Sequence, residues 1–203
     1  MKVGDGMRIE NKVYELLKRQ NGLFTCSQAQ QAGISKSALA DMVEKKIIER
    51  AAHGIYISAD SFGDDMFIKQ TAVPKLIYSH ETALFFHELT NRTPNRYSVT
   101  VPSNYKPSKW IIDSCKVYYV SPEHYSLGVI EKRNGMGNLI RVYDKDRTIC
   151  DVLRSRNRMD IQIVTEAIRQ YAIAPKKDLN KLYHYAEQFK VTKMLRQYME
   201  VLL

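Results

Sequence analysis

The sequence predicts a mixed α/β (α+β) fold built in two parts. Three observations carry this. Apolar residues recur at helical spacing through residues 8–46, β-branched and aromatic runs alternate through residues 96–144, and helical spacing returns from residue 146 to the end.

The first part divides into short elements. In RIENKVYELLKRQ, Ile9, Val13, Leu16 and Leu17 mark one face of a helix that Asn21–Gly22 ends. Leu23–Phe24 reads as a short hydrophobic link. Thr25 is placed to cap a second helix, CSQAQQA, with Gln28 in the reciprocal capping position. Gly33 breaks that helix and Ile34 plugs the turn. Ser35 then caps a third helix that runs to about Lys46. In IIERAAHGIYI, two β-prone runs flank Ala52–His53–Gly54, a hairpin signal. Three helices with a Gly-containing turn between the second and third, followed by a hairpin, form the pattern of a winged helix-turn-helix over residues 1–60.

The polar stretch SADSFGDD marks a boundary, and residues 61–203 form a second, mixed α/β domain ending in helices. Residues 65–78 read as a helix that Pro74 bends or ends. SHETALFFHEL reads as a helix capped by Ser79, with Thr82 as another start. RYSVTVP, KVYYVS, LGVIEKR and LIRVYD read as strands, the last two joined by the turn NGMGN. DRTICDVLRSR, IQIVTEAIRQYA and two helices within DLNKLYHYAEQFKVTKMLRQYMEVLL complete the chain.

Composition narrows the function classes. The 203 residues carry 31 Lys+Arg and 22 Asp+Glu, a formal charge of +9 that suits a polyanionic partner. Residues 1–60 hold 9 of the basic and 7 of the acidic residues, so most of the excess lies further on. The three cysteines, Cys26, Cys115 and Cys150, have no CxxC or Cys/His spacing and read as reduced thiols of a cytoplasmic protein. MKVGDGMRIE has no apolar core of a signal peptide, and no run is long enough to span a bilayer.

No motif of a nucleotide-binding loop, hydrolase elbow or zinc protease is present. Asp113 with Glu131–Lys132 would be a carboxylate–lysine nuclease set only if Glu and Lys shared a strand face, and adjacent residues do not. His80 and His87 lie two helical turns apart, too far to share a metal. The sequence therefore predicts no catalytic residue, no metal and no cofactor.

On the third helix Ala38, Leu39, Met42 and Val43 form the inward arc, and Ser37, Ala40, Asp41 and Glu44 the outward one. In a helix-turn-helix the N-terminal half of the outward face meets base edges and its flanks meet phosphates. Lys36 and Lys45 are the candidate phosphate partners, Ser35 and Ser37 the candidates for phosphate or a base edge, and Arg50 and His53 the wing's candidates for the backbone or minor groove. Thr25 joins this DNA-binding set. Asp41 and Glu44 oppose phosphate, so a protein-interaction module that does not bind DNA is the alternative reading. Further on, Arg147, Arg154, Arg156 and Arg158 crowd together, and RTPNRY carries Arg92 and Arg96 beside Tyr97. They are candidates for a partner-binding basic surface, or for charges solvated and paired within the fold. Asp144, Arg147 and Asp151 have the spacing of an internal network.

SHETALFFHELTNRTPNRYSVTVPSNY, YDKDRTICDVLRSRNRMD and KLYHYAEQFKVTKMLRQYMEVLL resemble the AbiEi family, and ISKSALADMVEKKIIERAAHGIYI is similar to that family's winged-helix start. AbiEi proteins are antitoxins of type IV toxin–antitoxin systems, which act in abortive infection, a phage defence. The resemblance implies a transcriptional autorepressor that binds promoter DNA of its own operon. It also implies antagonism of a nucleotidyltransferase toxin, in the family classically without a stable complex, and leaves a direct contact between this chain and the toxin open. A monomer or weak dimer is the expected state. Where family members often carry basic residues near positions 41 and 44, this chain has Asp41 and Glu44.

Overall fold

The computed structural model describes the backbone of residues 3–202 and the side chains of residues 9–200. Met1, Lys2 and Leu203, to which the readings of the first and last segments extend, lie outside the described residues. The fold is mixed α/β, and contacts gather it into two compact units, residues 1–74 with 134–138, and residues 75–133 with 139–203.

The first unit runs α1 (Val3–Arg19), β1 (Leu23–Thr25), α2 (Cys26–Gln31), α3 (Lys36–Glu44), β2 (Ile48–Ala52), β3 (Ile55–Ser58) and α4 (Asp65–Ala72). Leu23–Phe24 is a strand and not merely a link: β1 pairs antiparallel with β3, giving the order β1-β3-β2. The three-residue strand is too short to show a period of its own. Phe24 points inward with Val13, Ala29, Ile34, Leu39, Met42 and Ile48, all essentially inaccessible. The other face of the small sheet, through Leu23, Ile55 and Ile57, is covered by Ile68 of α4. The helices and hairpin make the winged helix-turn-helix that the sequence pattern predicts.

The second unit holds β4 (Ile77–Tyr78), α5 (His80–Phe86), β5 (Tyr97–Pro102), α6 (Lys109–Ser114), β6 (Cys115–Val120), α7 (Pro122–Tyr125), β7 (Val129–Arg133) and β8 (Leu139–Tyr143). It continues with α8 (Lys145–Arg154), a 3-10 turn (Arg156–Arg158), α9 (Ile161–Ile173), α10 (Leu179–Gln188) and α11 (Thr192–Leu202). The five strands lie in the order β6-β5-β4-β8-β7, with β4/β8 and β5/β6 parallel and the other pairs antiparallel. Leu84, Leu89, Ile149, Val152, Leu153, Ile168, Leu182 and Leu195 form the core of the helical layer.

The helix expected over residues 65–78 is two elements. α4 stops at Ala72, and Ile77–Tyr78 become the central strand β4. The residue before a proline avoids helical backbone, so Val73 turns the chain out ahead of Pro74. Ser79 occupies the cap position of α5, but its hydroxyl does not cap the helix. It accepts a hydrogen bond from Thr100 and pairs with the His80 ring instead.

Five helices end in the same way. After α1, α2, α3, α5 and α10 the chain enters left-handed backbone at Asn21, Gly33, Lys46, Glu88 and Lys190. The next residue's amide, from Gly22, Ile34, Ile47, Leu89 and Val191 respectively, reaches back to the carbonyl of Leu17, Ala29, Met42, Leu84 and Ala186. This satisfies a carbonyl the helix leaves open, and where an apolar residue follows the turn it drops into the core.

Candidate nucleic-acid interface

The outward face of α3 carries Lys36, Ser37, Ala40, Asp41 and Glu44, all exposed, while Leu39 and Met42 are buried beneath it. Ser35 caps the helix: its hydroxyl accepts the amide of Ala38 at 3.2 Å and lies 2.9 Å from the Ser37 hydroxyl. Ser35 thus holds the helix start, and Ser37 shares its hydroxyl with that cap. Lys36 has no hydrogen bond or ion pair among the described residues.

Thr25 is taken up by its own helix. Its hydroxyl accepts the Gln28 amide at 3.2 Å and donates to the Gln28 side chain at 3.1 Å, while that side chain accepts the Thr25 amide at 2.7 Å. A reciprocal capping box of this kind fixes the start of α2. The Thr25 hydroxyl thus has a structural role in this unit.

Lys45 meets Asp41 one turn back at 2.9 Å, with both groups about half exposed. The Asp41 carboxylate raises the ammonium's pKa and occupies one of its donors. In the wing, a β-bulge between Arg50 and Ala52 reshapes the strand. The Arg50 guanidinium lies 2.9 Å from His53 Nδ1, which accepts when the imidazole is neutral, so the two wing candidates are linked to each other. Gly54 has a φ of +70°, and its carbonyl accepts the Cys26 amide at 2.7 Å, tying the wing turn to the start of α2.

One cation was not singled out from the sequence. The ammonium of Lys12, on α1, lies over the turn between α2 and α3, 3.4 Å from where a Cβ on Gly33 would stand. Lys12 shares its helix with the apolar stripe but falls on the exposed side. A period count marks it only as outward. Its placement over the turn depends on how α1 packs across α2 and α3.

Residues 11–59 match the family model described as a transcriptional regulator, AbiEi antitoxin. The matched stretch is similar to that family. It runs from within α1 through the wing and lies inside the first unit. No curated protein sequence matches the chain. Among solved structures, the crystal structure of the RV2827C protein from Mycobacterium tuberculosis is similar over 95% of this chain and 81% of that chain, with a TM-score of 0.58 and 8% identity. At that identity the likeness is one of fold. On the matched stretch, Lys36 and Lys12 stand open beside the helix-turn-helix turn, and the Asp41–Lys45 pair lies at the far end of α3.

The basic residues of the second unit are mostly engaged within it. Arg147 is not on a surface: it is completely buried, and this corrects its reading as a partner-binding group. Its Nε donates to Asp151 at 3.0 Å, and one terminal nitrogen donates to the carbonyls of His124 and Leu127 at 2.7 and 2.9 Å. The guanidinium stacks between Tyr143 and Phe189, 4.2 and 4.1 Å from their ring centres. Asp144 caps α8 through the Arg147 amide and takes an ion pair from Lys181 at 2.8 Å. The internal network suggested by the spacing of Asp144, Arg147 and Asp151 is what the fold contains.

Arg96 donates to the carbonyls of Ile112, Asp113 and Cys115, each at 2.8 Å. Arg158 reaches the Val117 carbonyl at 3.4 Å and Arg154 that of Tyr119 at 3.3 Å. Alternate carbonyls of β6, the outermost strand, therefore face guanidinium groups. Arg92 pairs with Asp160 at 3.2 Å and with Gln162 at 2.8 Å. Among the described residues the Arg156 guanidinium donates to one carbonyl, that of Leu153 three residues back, at 3.4 Å.

The nuclease set is not assembled. Asp113 lies on α6, just ahead of β6, and Glu131 lies on β7, at the opposite end of the sheet order. His80 and His87 are both buried and point to different partners, Ser79 with Ser155, and the Tyr143 carbonyl. Among the described residues no group of three His, Cys, Asp or Glu could hold a metal ion. Among the described residues no helix is long and apolar enough to cross a membrane.

Proposed function

We propose that this chain is an AbiEi-type antitoxin and transcriptional autorepressor whose winged helix binds promoter DNA of its own operon. The observation that carries the reading is the open pair of cations, Lys12 and Lys36, at the α2–α3 turn of a segment matching an antitoxin regulator family. The N-terminal half of α3 enters the major groove with Lys36 and Lys12 on phosphates, while Ser37 faces base edges and Arg50 on the wing meets the backbone. Lys45 keeps donors for phosphate, but the adjacent Asp41 carboxylate weakens that contact. Thr25 and Ser35 act by holding the helix starts in place.

The second unit, in this reading, opposes a nucleotidyltransferase toxin. The support is the resemblance of HETALFFHELTNRTP and DRTICDVLR to the family. Co-expression tests it: cells carrying the adjacent nucleotidyltransferase gene survive with this chain and die without it.

The alternative is a winged helix that contacts a protein and not DNA. Exposed Asp41 and Glu44 on the reading face favour it. A gel shift on the DNA upstream of the chain's own gene separates the two. Lys12→Ala/Lys36→Ala should weaken the shift and reduce the salt slope by about 2. No shift at low salt would reject the repressor reading.

A further inference from the structure

The helical end of the second unit carries an open groove of about 620 Å³, lined by Arg156, Thr165, Lys190, Lys193, Met194, Gln197 and Tyr198. Its floor is apolar, since Met194 and Tyr198 are half-buried and pack on the helical core. Its rim is cationic. Lys190 and Lys193 are exposed, and their ammonium groups have no ion pair or hydrogen bond among the described residues, where Arg156 holds a single backbone carbonyl. Glu166, Glu187 and Glu200 lie on the same helices, but among the described residues no carboxylate lines the groove. On α9, one turn before Thr165, Ile161 stands 58% exposed and extends the apolar strip.

We propose that this groove is a docking site for an acidic, apolar-bearing peptide segment of a partner protein. Three uncompensated cations around an apolar floor select a ligand that carries carboxylates beside hydrophobic side chains. Rigid helices supply the walls, and a flexible methionine adapts the floor to the side chain it receives. Nucleic acid is the poorer fit, because phosphate contacts need cations along an open surface and gain little from a methionine floor. The inference concerns the second unit alone and does not depend on DNA binding by the first.

Lys190 makes the test clean. It closes α10 in left-handed backbone, with φ at +57°, where glycine is the favoured residue. Lys190→Gly therefore removes a rim cation while keeping the helix end. The experiment selects peptides from a random displayed library on the full-length protein. It then measures the binding of the selected peptides to the wild type and to Lys190→Gly/Lys193→Ser. Enriched peptides should combine Asp or Glu with large apolar residues. Their affinity should fall by about tenfold or more in the double variant, since each charge-assisted contact is worth a large fraction of that factor. The methyl resonance of Met194 should shift on binding. Selected peptides without acidic residues, equal binding to the variant, no enrichment, or displacement of the peptide by duplex DNA with the Met194 shift transferred to DNA would each overturn the proposal.

Discussion

Arg147 shows how a single charged residue can be made into core. Its charge is compensated by Asp151 and two carbonyls, and its flat faces are filled by Tyr143 and Phe189. Removing one member of a buried pair leaves the other charge stranded. Arg147→Ala should therefore cost about 3–5 kcal/mol in urea denaturation, and Arg147→Met/Asp151→Leu should cost clearly less than the single change. Gly128 belongs to the same site. Its φ is +76°, and a Cβ there would stand 2.8 Å from the Arg147 Cβ, so Gly128→Ala should also destabilise. His87 gives a pH signature. Burial lowers its pKa from 6.5 to about 4, while Nε2 donates to the Tyr143 carbonyl at 2.7 Å. Between those pH values the unfolded chain binds the extra proton. The contribution is complete above pH 6.5 and is lost as the pH falls toward 4, about 3 kcal/mol in all. The urea midpoint should fall across that window. Buried His80, whose pKa is also lowered, acts in the same direction.

At the scale of elements, the helix ends were the most legible feature. Thr25–Gln28 and Ser35 were readable as caps, and Gly33–Ile34 as a turn plugged by an apolar residue, because those signals are local. The same turn after α5 and α10 is closed by Glu88 and Lys190, which carry no such signal. Glu88→Gly and Lys46→Gly should each raise stability by roughly 0.5–1 kcal/mol in chemical denaturation, since glycine adopts φ near +57° without a Cβ penalty. β4 was not legible. Two residues show no alternation, and only pairing with β5 and β8 makes them a strand. The arginines' partners were only partly legible for a related reason. Asp151 is one turn from Arg147, a local spacing, whereas the carbonyls of residues 112–119 and the carboxylate of Asp160 lie far along the chain from Arg96, Arg154, Arg158 and Arg92, so spacing alone left a basic face and internal pairing both open. The blocks that carry the family resemblance are largely interior: His80, Thr82, Ala83, Leu84, Arg147, Thr148 and Asp151 are all buried. A motif of this kind reports the fold, not a contact surface.

At the scale of the molecule, a charge of +9 is distributed very unevenly between spent and free cations. On the proposed reading face Asp41 would repel phosphate, and it holds Lys45. Asp41→Asn should tighten promoter binding and steepen its salt dependence by about one phosphate's worth, read from titrations at several salt concentrations. A weaker shift in this variant would count against phosphate contact by the end of α3.

The outermost strand of the larger sheet has a consequence for colloidal behaviour. An unpaired strand edge is a template on which a second chain can add itself, and repeated addition grows fibres. Arg96, Arg154 and Arg158 occupy the carbonyls such an incoming chain would need, and they present positive charge to it. Arg154→Ala/Arg158→Ala should leave the monomer folded but let it assemble at high concentration, seen as rising light scattering and thioflavin fluorescence. The cationic crowd in this part of the chain would then be a guard against self-assembly, kept whether or not anything anionic ever binds there.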